Sequence, residues 1–61
     1  MAEGNGFDLG SRLKTLREAH NLSQRELAKR AGISHTVISR VEGGEHSPSP
    51  KTLERLADAL S

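Results

Sequence analysis

The sequence predicts an all-α fold, a compact bundle of four short helices. Apolar residues recur at helical spacing in four separate segments of the 61-residue chain. Each segment follows a residue that suits a helix N-cap, and turn-forming Asn, Gly or Pro residues separate the segments. No segment alternates apolar and polar residues at the period of two that a half-buried strand requires. Packing of helix against helix is therefore the expected basis of the core.

The first helix is predicted over about residues 9–20, within a domain that spans 8–61. Residues 1–7 are polar and glycine-rich, and we expect them to form a flexible leader. Asp8 is the expected N-cap, and Asn21 suits the left-handed turn that ends the helix. The expected buried stripe repeats at helical spacing and consists of Leu9, Leu13, Leu16 and His20.

The second helix is predicted over about residues 24–31, and it begins with a capping box. Ser23 caps the helix start, while Glu26 reaches back to the cap from three residues further on. Gly32 ends the helix because glycine adopts a positive φ without strain. The expected apolar face consists of Leu27, Ala28 and Ala31.

The third helix is predicted over about residues 35–42 and starts almost at once after the second. Ser34 is its expected N-cap, and two consecutive glycines stop it at 43–44. Ile38 and Val41 lie on one side of this helix and are expected to face the core.

The fourth helix is predicted over about residues 50–60, with Ser49 as N-cap and a proline at the first helical position. Its apolar residues give the strongest periodicity in the chain and are Leu53, Leu56, Ala57 and Leu60. Four short helices make a thin core. We therefore expect either more chain beyond Ser61 or a partner to cover Leu56 and Leu60.

The composition excludes several classes of protein. The chain has no cysteine, which rules out disulfides and thiolate metal sites. Hydrophobic residues make up 33% and aromatic residues 2%, which excludes a membrane span, a large apolar pocket and an aromatic platform for single-stranded nucleic acid. The three histidines lack metal-ligand spacing, and so small a scaffold leaves little to exclude water from a catalytic centre. We expect no enzyme, metal site or cofactor, and the absence of cysteine fits a reducing cytoplasm.

The net charge of +1 conceals an uneven distribution. Residues 11–41 contain seven basic and two acidic residues, whereas residues 1–10 and 42–61 are each acidic overall. A basic middle between acidic ends indicates a surface that faces a polyanion. Charge alone leaves open the alternative of a solvated helix face.

The tight turn between the second and third helices predicts a helix-turn-helix, in which two helices cross at a large angle. The crossing requires a small side chain at Ala28, where the third helix approaches closely, and a left-handed conformation at Gly32. The expected core of the motif consists of Leu27, Ala28, Gly32, Ile33, Ile38 and Val41. Each feature is common by itself, but the complete set with two matching caps is specific.

At these residues the sequence resembles the phage-repressor and Cro-like helix-turn-helix domains, the XRE family. The resemblance covers about residues 9–60, and its matching stretches include Leu22-Ser23-Gln24-Arg25-Glu26-Leu27-Ala28, Ala31-Gly32-Ile33-Ser34 and Ile38-Ser39-Arg40-Val41-Glu42. It implies a lambda-repressor-like fold and the DNA-binding domain of a prokaryotic or phage transcriptional regulator, with repression as the default. Domains of this family usually have a fifth helix that closes the core and often contributes to dimerisation. We expect that helix to be absent here.

The resemblance makes the third helix the recognition helix, and its outer face is polar. With Ile38 directed at the core, Thr36 and Arg40 point away from it. Arginine grips guanine O6 and N7 in a bidentate contact, and threonine offers its methyl group to thymine. The expected base-reading residues are Ser34, His35, Thr36, Ser39 and Arg40. The alternative is an ordinary solvated helix surface. Val37 is ambiguous, because it lies at the edge of the core and also suits contact with a thymine methyl group.

A second set of residues is expected to hold the DNA backbone. The N-terminus of the second helix suits a phosphate because of its free N–H groups and its dipole. The resemblance implies that Gln24 contacts phosphate and braces the recognition helix; the alternative is a helix cap alone. The start of the fourth helix is a weaker candidate, because Glu45 lies close by and repels phosphate. The expected backbone contacts are Ser23, Gln24, Arg25, Ser47 and Lys51.

The resemblance also implies a partly buried ion pair between Arg17, in the first helix, and Glu42, at the end of the third. On a helical wheel both residues flank the apolar stripe of their own helix. The expected role of this pair is architectural, and a phosphate contact is an additional expectation for Arg17.

These observations predict sequence-specific binding of double-stranded DNA, with the third helix in the major groove. We expect a homodimer on a palindromic operator whose half-sites lie about 34 Å apart or a multiple of that distance. No membrane partner is expected. The alternative of another class is a protein-interaction module, such as an antitoxin-like or partner-docking bundle.

Overall fold

A computed structural model describes residues 8–61 of the chain, and the all-α prediction is confirmed. In chain order the helices are α1 (Leu9–Ala19), α2 (Gln24–Ala31), α3 (His35–Glu42) and α4 (Pro50–Ala59). The predicted leader at residues 1–7 lies outside the described residues. Within 8–61 there is no strand, and none of the four helices has the length and apolar character needed to cross a membrane.

The helices begin and end at the residues that local physical chemistry favours. Asp8 accepts a hydrogen bond from the Ser11 backbone N–H at 3.3 Å, and Ser49 accepts one from the Thr52 N–H at 3.2 Å. Asn21 has a φ of 58°, which is the left-handed turn expected after α1. The ends of two helices were predicted one residue too late, because α1 ends at Ala19 and α4 at Ala59, each followed by a C-cap residue.

The helix-turn-helix is formed by α2 and α3, which meet across the left-handed Gly32 with a φ of 70°. Helix α2 packs against both α3 and α4, and α1 packs against α3. Leu27, Ile38 and Val41 are the most deeply buried side chains, and Ile33 packs half-buried beside them. The buried apolar core as a whole consists of Leu13, Leu22, Leu27, Ala28, Ala31, Ile38, Val41 and Leu56.

The buried face of α1 differs from the predicted stripe. Leu13 is buried as expected, but Leu9 and Leu16 are 38% and 45% exposed, and His20 is exposed as well. The face that packs against the rest of the bundle is formed instead by Gly10, Leu13 and Arg17. The helix is turned toward Gly10 because a residue without a side chain allows α1 to approach the backbone of α3 closely.

The expectation for Leu56 and Leu60 is also corrected. Leu56 is only 3% exposed and belongs to the core, while Leu60 is half-buried against it. The exposed leucine of α4 is Leu53, at 44%. A groove of about 150 Å³ remains between the first and last helices, and we call it the α1–α4 groove. Its apolar lining consists of Leu9, Leu13 and Leu16 from α1, Leu53, Leu56 and Ala57 from α4, and Leu60, the C-cap residue of α4.

Candidate nucleic-acid interface

The outer face of α3 is polar and accessible. Ile38 and Val41 anchor the opposite face of this helix in the core, and Val37 is half-buried at the boundary. Thr36 and Arg40 lie opposite Ile38 on the helical wheel, Ser39 flanks them, and Ser34 and His35 lie at the N-terminal end of the helix. All five candidate base-reading residues are exposed, namely Ser34, His35, Thr36, Ser39 and Arg40. Ser34 has a local role in addition, because its Oγ accepts a hydrogen bond from the Thr36 backbone N–H at 3.1 Å and caps the helix.

The start of α2 is a complete capping box. The Glu26 N–H donates to Ser23 Oγ at 3.0 Å, and the Ser23 N–H donates to Glu26 Oε1 at 2.7 Å. These bonds use the backbone N–H groups of Ser23 and Glu26, so the remaining N-terminal backbone donors of the helix are the N–H groups of Gln24 and Arg25. Gln24 is half-buried and Arg25 is exposed at this end of α2.

Gln24 connects the start of α2 to the end of α3. Its Nε2 donates a hydrogen bond to Glu42 Oε1 at 3.0 Å. Glu42 is the last residue of α3, so the position of α3 is coupled to the residue expected to meet a phosphate. This bond is the bracing contact that the resemblance implies for Gln24.

Arg17 and Glu42 form a bidentate ion pair, and the same carboxylate accepts the hydrogen bond from Gln24. Arg17 Nε donates to Glu42 Oε2 at 2.6 Å and Arg17 Nη2 donates to Glu42 Oε1 at 3.0 Å. The third guanidinium nitrogen, Nη1, donates to the Leu22 carbonyl at 2.7 Å. The side chains are only 11% and 5% exposed, so the pair lies in the interior. We call Arg17, Leu22, Gln24 and Glu42 the bracing network, because they join α1, the α1–α2 turn, α2 and α3.

The bracing network holds Glu42 in its charged form. Burial by itself raises the pKa of the Glu42 carboxyl, but the hydrogen bonds from Arg17 and Gln24 and the charges of Arg17 and Lys14 together outweigh burial. The pKa of Glu42 is therefore lowered from its ordinary value of 4.5. The pKa of Arg17 is raised, chiefly by the hydrogen bond to Glu42.

This pKa shift predicts loss of stability in acid. Because the folded pKa of Glu42 lies below its unfolded value, its contribution is complete above about pH 4.5 and is lost as the pH falls through the folded pKa. We expect the free energy of unfolding, measured by urea titration between pH 7 and pH 3, to fall over this range. Glu42→Gln should start from lower stability at pH 7 and show a shallower fall.

Two controls distinguish the contribution of Glu42 to the acid dependence from that of the other carboxyl groups. The pKa values of Asp8 and Glu26 are also lowered, by hydrogen bonds from Ser11 and Ser23 respectively, so a residual acid dependence should remain in Glu42→Gln. Glu54→Gln, which removes an exposed carboxylate from α4, is the matched substitution. An acid dependence of the same steepness in Glu42→Gln and in the wild-type chain would contradict the assignment.

The second candidate backbone site, at the start of α4, is less tightly organised. Ser47 and Lys51 are both exposed, and within residues 8–61 no hydrogen bond joins either of them to α3. The hydroxyl of the neighbouring Ser49 is engaged with Thr52, to which it donates at 3.0 Å. Ser47 and Lys51 therefore stay candidates for phosphate contact on position and exposure alone.

Two residues that help to position α3 were not anticipated from the sequence. A Cβ at Gly10 would lie 2.5 Å from the Val41 carbonyl oxygen and 2.8 Å from that of Glu42, so α1 meets the backbone of α3 directly. A glycine inside a helical pattern is itself a signal of such a packing reason. Arg55 Nη1 donates to the Gly32 carbonyl at 3.2 Å and ties α4 to the motif's turn. No local sequence signal marks that contact, since its acceptor is a backbone carbonyl.

Residues 8–61 bring together no group of three or more side chains suited to holding a metal ion. The polar groups of the site lie instead at the N-terminal ends of α2 and α4 and on the exposed face of α3. An exposed face of hydroxyl, imidazole and guanidinium groups beside a helix N-terminus has the donors and acceptors that base edges and phosphates require.

Comparison with known proteins places this arrangement in a family context. A family model described as a helix-turn-helix domain matches residues 8–61. The chain is 43% identical over 53 residues to the ImmF control region 10 kDa protein of Bacillus phage phi105, covering 87% of this chain and 59% of that protein. It is 42% identical over 52 residues to the HTH-type transcriptional repressor RghR of Bacillus subtilis, covering 84% of this chain and 38% of RghR.

Solved structures share the fold. The restriction-modification controller protein C.AhdI from Aeromonas hydrophila matches with a TM-score of 0.85 and 38% identity, over 87% of this chain and 80% of that one. A point mutant of the controller protein C.Esp1396I matches with a TM-score of 0.84, over 98% of this chain and 76% of that one; at 23% identity this likeness concerns the fold alone. With the family model matching residues 8–61, the chain belongs to the helix-turn-helix domain family.

Proposed function

We propose that this chain binds double-stranded DNA sequence-specifically, as the DNA-binding domain of a prokaryotic or phage transcriptional regulator. The observation that carries the proposal is the exposed polar face of α3, whose opposite side is fixed in the core by Ile38 and Val41. A rigid helix of this kind, with the motif's first helix across the backbone, is how helix-turn-helix proteins enter the major groove. No catalytic step is part of the proposal, and its setting is the cytoplasm, at the nucleoid.

Base reading is assigned to α3 and positioning to α2. Arg40 carries the donors for a bidentate contact to guanine, and Thr36 carries a methyl group suited to thymine. The N–H groups of Gln24 and Arg25 at the start of α2 suit a phosphate, which fixes the orientation of the domain without reading sequence. The remaining candidates keep the roles expected of them, with Ser34, His35 and Ser39 at base edges and Ser23, Ser47 and Lys51 at the backbone.

Repression from a palindromic operator is the regulatory mode that we propose. RghR is named a transcriptional repressor, and an immunity repressor of Bacillus phage phi105 is 36% identical to this chain over 52 residues. Two copies related by a two-fold axis would read half-sites about 34 Å apart or a multiple of that distance.

The first test is the salt dependence of binding. We expect sites selected from randomised duplex DNA to bind with an affinity whose logarithm falls linearly with the logarithm of salt concentration, because phosphate contacts release counterions. In ¹⁵N-labelled protein the chemical-shift changes should cluster at Gln24 and residues 34–40. Shifts confined to α4, or an affinity independent of salt, would contradict the proposal.

Arg40→Ala tests base reading directly. Loss of a bidentate guanine contact should cost about 1–3 kcal/mol of binding free energy and relax the preference at one base position. The matched control is Arg30→Ala, which removes an exposed arginine from the last turn of α2, outside the proposed interface. Equal weakening on all sequences would make Arg40 a phosphate contact.

One observation favours a second candidate, a protein-interaction module. The α1–α4 groove keeps large apolar side chains exposed, and apolar surface of this kind marks protein contacts. Under this alternative a protein partner would produce shifts along α4, and duplex DNA would produce none at α3.

A further inference from the structure

One face of α1 packs against the end of α3. Gly10 permits this contact, since a Cβ at that position would lie 2.5 Å from the Val41 carbonyl oxygen. Arg17 reaches Glu42, the last residue of α3, from the same face. Lys14 lies between Gly10 and Arg17, four residues after the first and three before the second, and residues at these spacings are neighbours on a helix surface. Lys14 therefore belongs to the face that α1 directs toward α3.

Lys14 differs from its two neighbours on this face in its exposure. Gly10 and Arg17 are buried, whereas Lys14 is exposed. No ion pair within residues 8–61 engages its ammonium group. The charge of Lys14 nevertheless acts on Glu42, whose pKa it helps to lower. The ammonium group thus lies near the bracing network without being a member of it.

The surroundings of Glu42 connect Lys14 to the candidate nucleic-acid interface. Gln24, at the start of α2, donates to the Glu42 carboxylate at 3.0 Å. On α3 the exposed Ser39 lies one helical turn before Glu42. The exposed edge of α1 at Lys14 therefore adjoins both the helix start expected to meet a phosphate and the Ser39 side of the base-reading face.

The charge balance at this edge favours an anion. Arg17 neutralises the Glu42 carboxylate, so the ammonium group of Lys14 adds a net positive charge. Glu18 lies one turn further along α1, but it is exposed, and water and salt screen its charge. A lysine ammonium is a point charge on a flexible stem, and it binds phosphate without the fixed geometry that a guanidinium requires.

We propose that Lys14 binds a DNA phosphate next to the one that meets the start of α2, so that the DNA contact extends beyond the helix-turn-helix onto α1. The inference rests on the proposed function and deepens it, since it adds a backbone contact from a helix outside the motif. A phosphate contact carries no sequence information but fixes the orientation of the domain on the duplex. In this way α1 helps to set the angle at which α3 meets the bases.

The salt dependence of Lys14→Gln binding tests the proposal, on duplexes selected with the wild-type chain. The affinity should fall about three- to tenfold, equally on selected and unrelated duplexes, because a phosphate contact is lost. The slope of log affinity against log salt should become shallower by about one for each bound chain. Lys14→Arg should keep the wild-type slope. Lys29→Gln makes the same substitution on the exposed side of α2 and should leave the slope unchanged.

A neutral methylphosphonate, placed at each backbone position of the duplex in turn, locates the contact. At one position it should weaken binding by the wild-type chain but have no effect on binding by Lys14→Gln. At the adjacent position it should weaken both chains, because the N–H groups of α2 are unchanged. The melting temperature of Lys14→Gln should stay within about 5 °C of the wild-type value, and a larger fall would make Lys14 a structural residue instead.

Two outcomes separate this proposal from the proposed function. An unchanged salt slope in Lys14→Gln, with sequence-specific binding by the wild-type chain, overturns the role of Lys14 and leaves the proposed function standing. Absence of DNA binding by the wild-type chain would overturn both.

Discussion

Replacing Arg17 with Met should lower the free energy of unfolding by about 3–5 kcal/mol, the cost typical of removing one partner from a buried ion pair. The Glu42 carboxylate would lose both guanidinium hydrogen bonds while its side chain stays only 5% exposed. The Leu22 carbonyl would lose its donor as well. A domain of this size rarely has more than about 3–5 kcal/mol in total, so we expect a largely unfolded population at 25 °C.

Urea titration at low temperature, followed by circular dichroism, measures this loss. Arg30→Met makes the same substitution at an exposed position of α2 and should change stability by less than about 1 kcal/mol. In a double-mutant cycle, Arg17→Met combined with Glu42→Gln should cost less than the sum of the single changes, because no unpaired charge remains. Additive losses would mean that the two side chains stabilise the fold independently.

Replacing Gly10 with Ala should destabilise the fold by about 1–3 kcal/mol, although the helix itself favours alanine by about 1 kcal/mol. The new methyl group would lie 2.5 Å from one α3 carbonyl oxygen and 2.8 Å from the next. Neither oxygen belongs to a flexible side chain, so α1 must move away from α3 to make room. The two physical effects have opposite signs, and the sign of the measured change decides which one dominates.

The measurement is the melting temperature of Gly10→Ala, with Gly43→Ala as the control. Gly43 has an ordinary helical φ of −80°, and a Cβ there would lie 3.3 Å from the Ser39 carbonyl oxygen, a tight but much milder contact. We expect Gly43→Ala to change stability by less than about 1 kcal/mol. A rise in the melting temperature of Gly10→Ala would show that α1 and α3 are not in close contact in solution. Displacement of α3 should also weaken DNA binding by folded Gly10→Ala.

The features that sequence reasoning predicted are those set by short stretches of chain. The caps at Asp8, Ser23 and Ser49 and the left-handed turns at Asn21 and Gly32 depend on residues within three or four positions, and all five agree with the structure. The same holds for helix number and order. Periodicity also located the deepest core residues, because the amphipathic patterns of α2 and α3 each admit one buried face.

The features that sequence reasoning missed depend on contacts between distant segments of the chain. In α1 either the leucine stripe or the face that contains Gly10 can pack against the core. The close approach of α3 to Gly10 selects the glycine face, and Leu9 and Leu16 therefore stay exposed. Arg17 and Glu42 are 25 positions apart, and the family resemblance rather than any spacing pointed to their pairing. The bond from Arg55 to the Gly32 carbonyl spans 23 positions and has no counterpart in the sequence pattern.

The contacts that hold α3 lie on its inner side and at its two ends. Ile38 and Val41 fill the core, Glu42 is held by the bracing network, and Ser34 caps the start. Thr36, Ser39 and Arg40, along with His35, face outward and are exposed. These outward residues can therefore be exchanged with little effect on folding. Under the proposed function, such exchanges would change operator preference while the scaffold is retained. Under the same proposal, these positions would be the ones to randomise when selecting for new DNA targets.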